Sequence, residues 1–165
     1  MKKRPAKAAE PGVDDLQDLY GRPGFLLRRA HQISVSLFIE ETLAEGVTTT
    51  QYGLMCILRA RPGLDQISLA KLIGLDRSTT GLVLGKLESA GLIVRRAVAA
   101  DRRRKQLSLT RKGDAALRRL VEPARRAQEK VLAPFSAAER RQFLALLTKF
   151  VGAYNEVVRA PLTSV

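Results

Sequence analysis

A mainly α-helical chain with one small β-hairpin is the fold class that this sequence predicts, and three observations carry the prediction. Apolar residues recur at i, i+3 and i+4 over most of the chain, which is the helical period. Polar starts and Gly or Pro stops punctuate those stretches. One pair of short apolar or alternating segments, 92–94 and 106–109, flanks a cationic loop, and such a pair reads as a hairpin. With 165 residues, 45% of them apolar and no Trp, the chain is long enough for one globular domain with helical extensions. Its formal charge of +13 and pI near 10.7 imply a polyanionic partner. Ten Lys or Arg residues stand against three acids between residues 76 and 112, so more than half of the excess lies in 37 residues.

In chain order, residues 1–22 open with MKKRPAKAAEPG, which is basic and rich in Pro and Ala, and they lack the apolar middle of a secretory signal. They read as a disordered tail, either a solubilising arm or one that touches phosphates. From Phe25 to about Ala44, Leu26, Leu27, Ala30, Ile33, Ser34, Leu37 and Phe38 give a long first helix a wide buried face. On one stripe of it, Arg28, His31, Val35 and Phe38 follow each other. Thr48 to Gln51 fits a capping box, and the second helix runs to about Ala60, where Pro62-Gly63 follows. Residues 67–74 make a short helix closed by Gly74, and Leu75-Asp76 turns the chain into the next one. Asp76 is placed to cap that helix, where a carboxylate meets free N–H groups and the positive end of the dipole. Thr80, Val83, Leu84, Leu87 and Gly91 form its inner side, while Ser78, Thr79, Leu82, Gly85 and Lys86 face out.

After Gly91 come the strand Leu92-Ile93-Val94, the loop DRRRK at 101–105 and the strand Gln106 to Leu109. Thr110 caps a helix from Arg111 to about Ala133, with a kink or break expected near Glu122 because Pro123 lies inside it. A second capping box at Ser136 to Glu139 starts the last helix, which continues through Phe143, Leu146, Leu147, Phe150, Tyr154 and Val158. Its apolar load exceeds the need of a peripheral helix, and a second copy of the chain is the simplest place to bury it.

Two short helices joined by a Gly-containing turn, followed by a basic hairpin, make a winged helix-turn-helix: helix for the major groove, hairpin for the backbone or minor groove. The stretches LIGLDRSTTGLVLGKLESAGLIVRR and DRRRKQLSLTRKG, with an Asp, neighbouring Arg residues and then L-T-x-x-G, resemble the MarR family of bacterial transcription regulators. The resemblance covers about residues 22–158. It implies a homodimer held by its N- and C-terminal helices (23–46 and 111–165), with a DNA-binding lobe at 47–110. It also implies a pseudo-palindromic operator in double-stranded DNA and a repressor that a small ligand, such as an aromatic acid, releases. The family's effector cleft lies between the first two helices and the lobe. Arg28 and His31 would there pair with a carboxylate or phenol, and Ser34, Phe38, Tyr52 and Met55 would complete the walls. Alternatively, His31 is a satisfied core or interface histidine and Arg28 a surface or dimer cation.

Many members carry Thr, Arg and later Asp on the outer face of the recognition helix, where this chain has Gly81, Leu82 and Gly85, so the usual arginine-to-base contact does not transfer. Leu82 either touches a thymine methyl or packs on the wing. Ser78 and Thr79 are the expected hydrogen-bond donors to bases or phosphates, and Lys86 meets phosphate or solvent. Ser68 and Arg77 complete the DNA-facing set on the two short helices. In the wing, Arg103 is the choice for the minor groove, Asp101 braces the loop or an arginine, and Arg102, Arg104 and Lys105 meet phosphates.

One His and one Cys, with no H-E-x-x-H, phosphate loop or dinucleotide fingerprint, leave an enzyme without visible equipment. No metal or other cofactor is expected. Cys56, in LMCIL, is expected to be buried and inert, and a single cysteine suits a reducing cytoplasm. No apolar run is long enough to span a membrane. The alternative from another class is an architectural, sequence-indifferent DNA-binding protein without an effector, its affinity supplied by charge.

Overall fold

The computed structural model describes residues 16–98 and 101–163, excepting the side chains at 98 and 101–104. Its helices are α1 (Leu16–Gly21), α2 (Pro23–Thr42), α3 (Thr49–Ala60), α4 (Gln66–Ile73), α5 (Arg77–Ser89), α6 (Arg111–Leu132) and α7 (Ala137–Tyr154). Strands β1 (Ile93–Val98) and β2 (Asp101–Leu109) lie between α5 and α6. Four helix starts follow the polar signals in the sequence. Thr48 and Ser136 close full capping boxes, Asp76 accepts the Thr79 amide, and Thr110 accepts the Gly113 amide. Asp65 caps α4 by accepting the Ser68 amide at 2.8 Å, which moves that helix start one residue ahead of the expected one.

Leu54, Met55 and Leu58 of α3 form the centre of the core with Leu69, Leu84, Leu87, Ile93 and Leu107, and α6 covers them with Leu117 and Leu120. A smaller cluster, Phe38 with Ala124 and Ala127, joins α2 to α6. Beside it runs a ladder of ion pairs. Glu45 meets Arg119 at 2.6 Å, and Glu41 meets both Arg126 and Lys130 at 2.7 Å.

Four features depart from the expected layout. The tail contains a helical turn, α1, tied to α2 by the Tyr20–Phe25 ring contact and by the Arg22–Asp18 pair. Residues 101–105 are strand and not loop: β1 extends to Val98, and pairing jumps from Ala97–Lys105 to Val98–Asp101, an irregularity that takes up the three intervening residues. The break that Pro123 allowed for does not occur, and α6 runs as one helix from Arg111 to Leu132. Proline removes one backbone donor there, and burial of Ala124 and Ala127 against Phe38 holds the helix across that gap. Finally, α7 stops at Tyr154. A 3-10 turn, Asn155–Val157, reverses the chain, and the Asn155 side chain grips the Leu162 backbone on both sides at 2.8 and 2.9 Å. The Thr163 amide then donates to the Lys71 carbonyl at 3.1 Å, tying this strap to α4.

No residue of α7 is buried, and Leu146, Phe150, Val151 and Tyr154 stand exposed along it. Leu26, Leu27 and Ile33, expected on the buried face of the first helix, are instead exposed on α2, whose buried residues are Phe38 and Thr42. No helix among the described residues is long and apolar enough to cross a membrane.

Candidate nucleic-acid interface

The exposed start of α5 is built by its cap. The Asp76 carboxylate accepts the Thr79 amide at 2.9 Å and the Thr79 hydroxyl at 2.7 Å. These two bonds, then the Ser78 amide and the charge of Arg159, hold the Asp76 carboxyl below the usual carboxylate range. The Thr80 hydroxyl turns inward to the Asp76 carbonyl at 2.8 Å and is fully buried. With Thr80, Leu84 and Leu87 inside, the outer face presents Arg77, Ser78, Thr79, Leu82 and Lys86, as the helical period predicts. Leu82 is 69% exposed, and a side chain at Gly85 would meet open space. Ser68, on α4, is half-buried.

The hairpin lies beside this face. A notch of about 410 Å³ separates the starts of α4 and α5 from the strands, walled by Gln66, Ile67, Arg77, Arg95, Lys105 and Leu107. Lys105 is exposed at its rim. The backbone of residues 101–104 belongs to β2, while the side chains of Asp101, Arg102, Arg103 and Arg104, and so their expected roles, lie outside the described residues. A further short pairing stiffens the ribbon on its other edge, where the Leu107 amide donates to the Leu64 carbonyl at 2.8 Å and the Gly63 amide to the Leu107 carbonyl at 2.9 Å.

Where the hairpin meets α6, Thr110 explains the L-T-x-x-G pattern. Its hydroxyl donates to the Gly91 carbonyl at 2.7 Å and accepts the Gly113 amide at 3.0 Å, and its own amide donates to the Leu92 carbonyl. Lys112 donates to the Ala90 carbonyl at 2.8 Å, closing the free C-terminal end of α5.

A sequence profile described as the MarR family matches residues 47–105, the stretch that holds α3, α4, α5 and most of the hairpin. A candidate transcriptional regulatory protein for the hcr operon of Thauera aromatica is 36% identical over 152 residues, covering 90% of this chain and 92% of that protein. The chain belongs to the MarR family. Its MarR-family relatives are transcription regulators, not enzymes, and the chain is a DNA-binding regulator of this type. The solved structure of the repressor CouR bound to a 23-mer DNA duplex is 28% identical with a TM-score of 0.75, and it covers 83% of this chain and 97% of that one. The structure of Bordetella bronchiseptica BpsR, from work on the regulation of its DNA binding by 6-hydroxynicotinic acid, is 27% identical with a TM-score of 0.74. That match covers 79% of this chain and 94% of that one.

The effector residues expected from the MarR resemblance do not converge within the single chain. Arg28 is exposed, donates to Gln32 at 3.1 Å and lies over the Phe25 ring at 4.9 Å. His31 is exposed and Ser34 half-buried on the same helix. Phe38 and Tyr52 do meet, with ring centroids 5.5 Å apart, whereas Met55 is fully enclosed in the core. Tyr52 instead lines a cavity of about 280 Å³ with Cys56, Arg59, Ala60, Leu117 and Val121. Burial, and then contact with Cys56, pushes its phenol up. Cys56 itself is partly exposed there, a correction to its expected full burial, because it sits on the flank of α3 and not on its core face.

The sequence reading missed Gln66 and Arg95. The one signal for Arg95 was its phase: it lies two residues from buried Ile93, on the core-facing side of β1.

Proposed function

We propose that this chain is a homodimeric, sequence-specific repressor that a small aromatic acid releases from a pseudo-palindromic operator. The observation that carries the reading is the single surface on which the outer face of α5 adjoins the cationic hairpin. Seated in the major groove, α5 reads bases through Ser78 and Thr79, and Leu82 meets a thymine methyl; its exposure favours this over packing on the wing. Ser68, Arg77 and Lys86 contact the backbone. The hairpin follows the strand with Arg102, Arg104 and Lys105 on phosphates and Arg103 in the minor groove, and Asp101 braces it.

Exposed apolar faces on α2 and α7 support dimerisation through the segments 23–46 and 111–165, around a DNA-binding lobe at 47–110. Two lobes then reach major grooves about 34 Å apart. The effector reading rests on the MarR relatives, among them BpsR with its pyridine carboxylic acid. Arg28 and His31 bind the carboxylate, with Ser34, Phe38, Tyr52 and Met55 around the ring. Met55 and Phe38 are buried, so the site forms only with movement of α2 against α3, which would change the spacing of the lobes.

A footprint on the DNA upstream of the gene tests the first part. A short protected inverted repeat with half-sites about 10 bp apart is expected, and uniform protection would refute sequence-specific recognition. On that site, Arg103→Ala is expected to weaken binding and to flatten the salt dependence by about one counterion; an unchanged slope and affinity remove Arg103 from the interface. Calorimetric titration with small aromatic acids tests the second part, and equal affinity for the wild type and His31→Ala would eliminate the assigned pocket.

A further inference from the structure

Gln66, the first residue of α4, uses both ends of its amide. Its Nε2 donates to the Arg77 carbonyl in the first turn of α5 at 3.0 Å, and its Oε1 accepts from Arg95 Nη1 at 3.1 Å. The Arg95 guanidinium also donates from Nε to Glu88 at 2.9 Å, in the last turn of α5. One arginine of β1 is thereby bound to α4 and, directly or through Gln66, to both ends of α5. Residues 77 and 88 lie about 17 Å apart along that helix. Cross-strand from Arg95 is Leu107, fully buried, so the arginine stem lies over the edge of the core while its head joins the network.

Three details are otherwise unexplained and follow from this network. Glu88 is an acid in the last turn of a helix, where the dipole disfavours negative charge, and Arg95 offsets that cost. Arg95 is only 23% exposed at its side chain, although it lies in the most cationic part of the chain; its neighbour Arg96 is the exposed one. Gly81 lacks the side chain an outward-facing residue of α5 would carry, and a Cβ there would lie 3.1 Å from Gln66 Nε2.

We propose that Arg95 is a positioning residue which, through Gln66 and Glu88, fixes the hairpin against the recognition helix so that both meet DNA in one register, with Gly81 leaving room for the Gln66 amide. The proposal rests on the reading of α5 and the hairpin as the DNA-contacting surface. In it Arg95 touches no phosphate. Its loss therefore affects specific recognition, in which helix and wing must be placed together, and spares non-specific attraction, which depends on charge.

The test is binding of the full chain to its footprinted operator and to an unrelated duplex over a range of salt, by fluorescence anisotropy. Gln66→Ala and Arg95→Gln are each expected to lower operator affinity about tenfold, to change affinity for the unrelated duplex less than twofold, and to leave the operator salt slope unchanged. The double variant is expected to bind no worse than the weaker single, because both changes break one network. An Arg95→Gln variant with a slope flatter by about one counterion and equal losses on both duplexes would make Arg95 a phosphate ligand and overturn the proposal. Additive losses in the double variant would make Gln66 a separate DNA contact, with the same result. Glu88→Gln, at the exposed end of the network, serves should Arg95→Gln fail to fold. It removes a negative charge near DNA, so electrostatics alone would tighten binding; weakened operator binding is expected, and tighter binding would refute the brace. Wild-type protein that prefers no duplex would refute the reading of the surface, whereas a wild-type preference with unaltered variants refutes only the brace.

Discussion

Replacing Gly113 with Ala adds one methyl group and is expected to be among the costliest single changes in the chain. A Cβ at this position would lie 1.9 Å from the Leu92 carbonyl oxygen and 2.8 Å from its carbon. Ordinary carbon–oxygen contacts begin near 3.3 Å, so the two backbones would have to separate by about 1.4 Å. Neither can move freely. The Leu92 carbonyl accepts the Thr110 amide at 3.0 Å, and the Leu92 amide donates to the Leu87 carbonyl at 2.9 Å. Separation breaks the Thr110–Leu92 bond, costing about 1 kcal/mol. It also loosens the Thr110 cap, about another 1 kcal/mol. Ala116 and Leu117, one turn further along α6, lose close packing on the core for about 1–3 kcal/mol more. A total of about 3–5 kcal/mol corresponds to a Tm lower by roughly 6–20 °C for a chain of this size. Calorimetry or circular dichroism at one fixed protein concentration measures it. Gly85→Ala supplies the control: nothing lies within 4 Å of its added Cβ, and alanine in a helix is expected to be neutral or stabilising by up to about 1 kcal/mol. A Gly113→Ala protein melting within about 2 °C of wild type would refute the argument.

Other perturbations follow from the same geometry. Lys130 first and Arg126 second hold the Glu41 carboxyl below its usual range, and Arg119 does the same for Glu45. The stability from these pairs is complete above the ordinary glutamate value of 4.5 and is lost as pH falls through the lower folded values; Glu41→Gln is expected to show a shallower acid loss of Tm below that point. Raising salt should shrink the difference between the two proteins, and a salt-independent difference would point to packing instead. Leu147→Glu combined with Phe150→Glu puts charge on the exposed apolar face of α7 and is expected to convert a dimer into a monomer by sedimentation velocity, with loss of operator binding. Dimers that persist would place the interface elsewhere. Asp76→Ala is expected to speed hydrogen exchange at the Thr79 amide, which the carboxylate now holds, while the Gly113 amide at the other helix start stays protected.

What the sequence determined by itself was local. Capping residues, helical period and glycine stops act within a few positions, so α2, α3, α5, α6 and the start of α7 could be placed, and so could the buried and outward faces of α5. The concentration of charge beside that helix was equally legible. Where a local signal met a long-range contact, the contact prevailed: Pro123 stays inside α6 because Phe38 packs there, and residues 101–105 became strand because pairing with β1 continues beyond the core. Strand phase put Arg95 on the core-facing side of β1, and tertiary structure decided what its head binds there. Arg95 and Arg96 are adjacent and identical in chemistry, and strand register together with Gln66, 29 residues away, separates their roles. It also decided that Gly113 answers to the carbonyl of Leu92, and that the chain beyond Tyr154 returns to Lys71. These are contacts between segments far apart in sequence, and no period or cap encodes them.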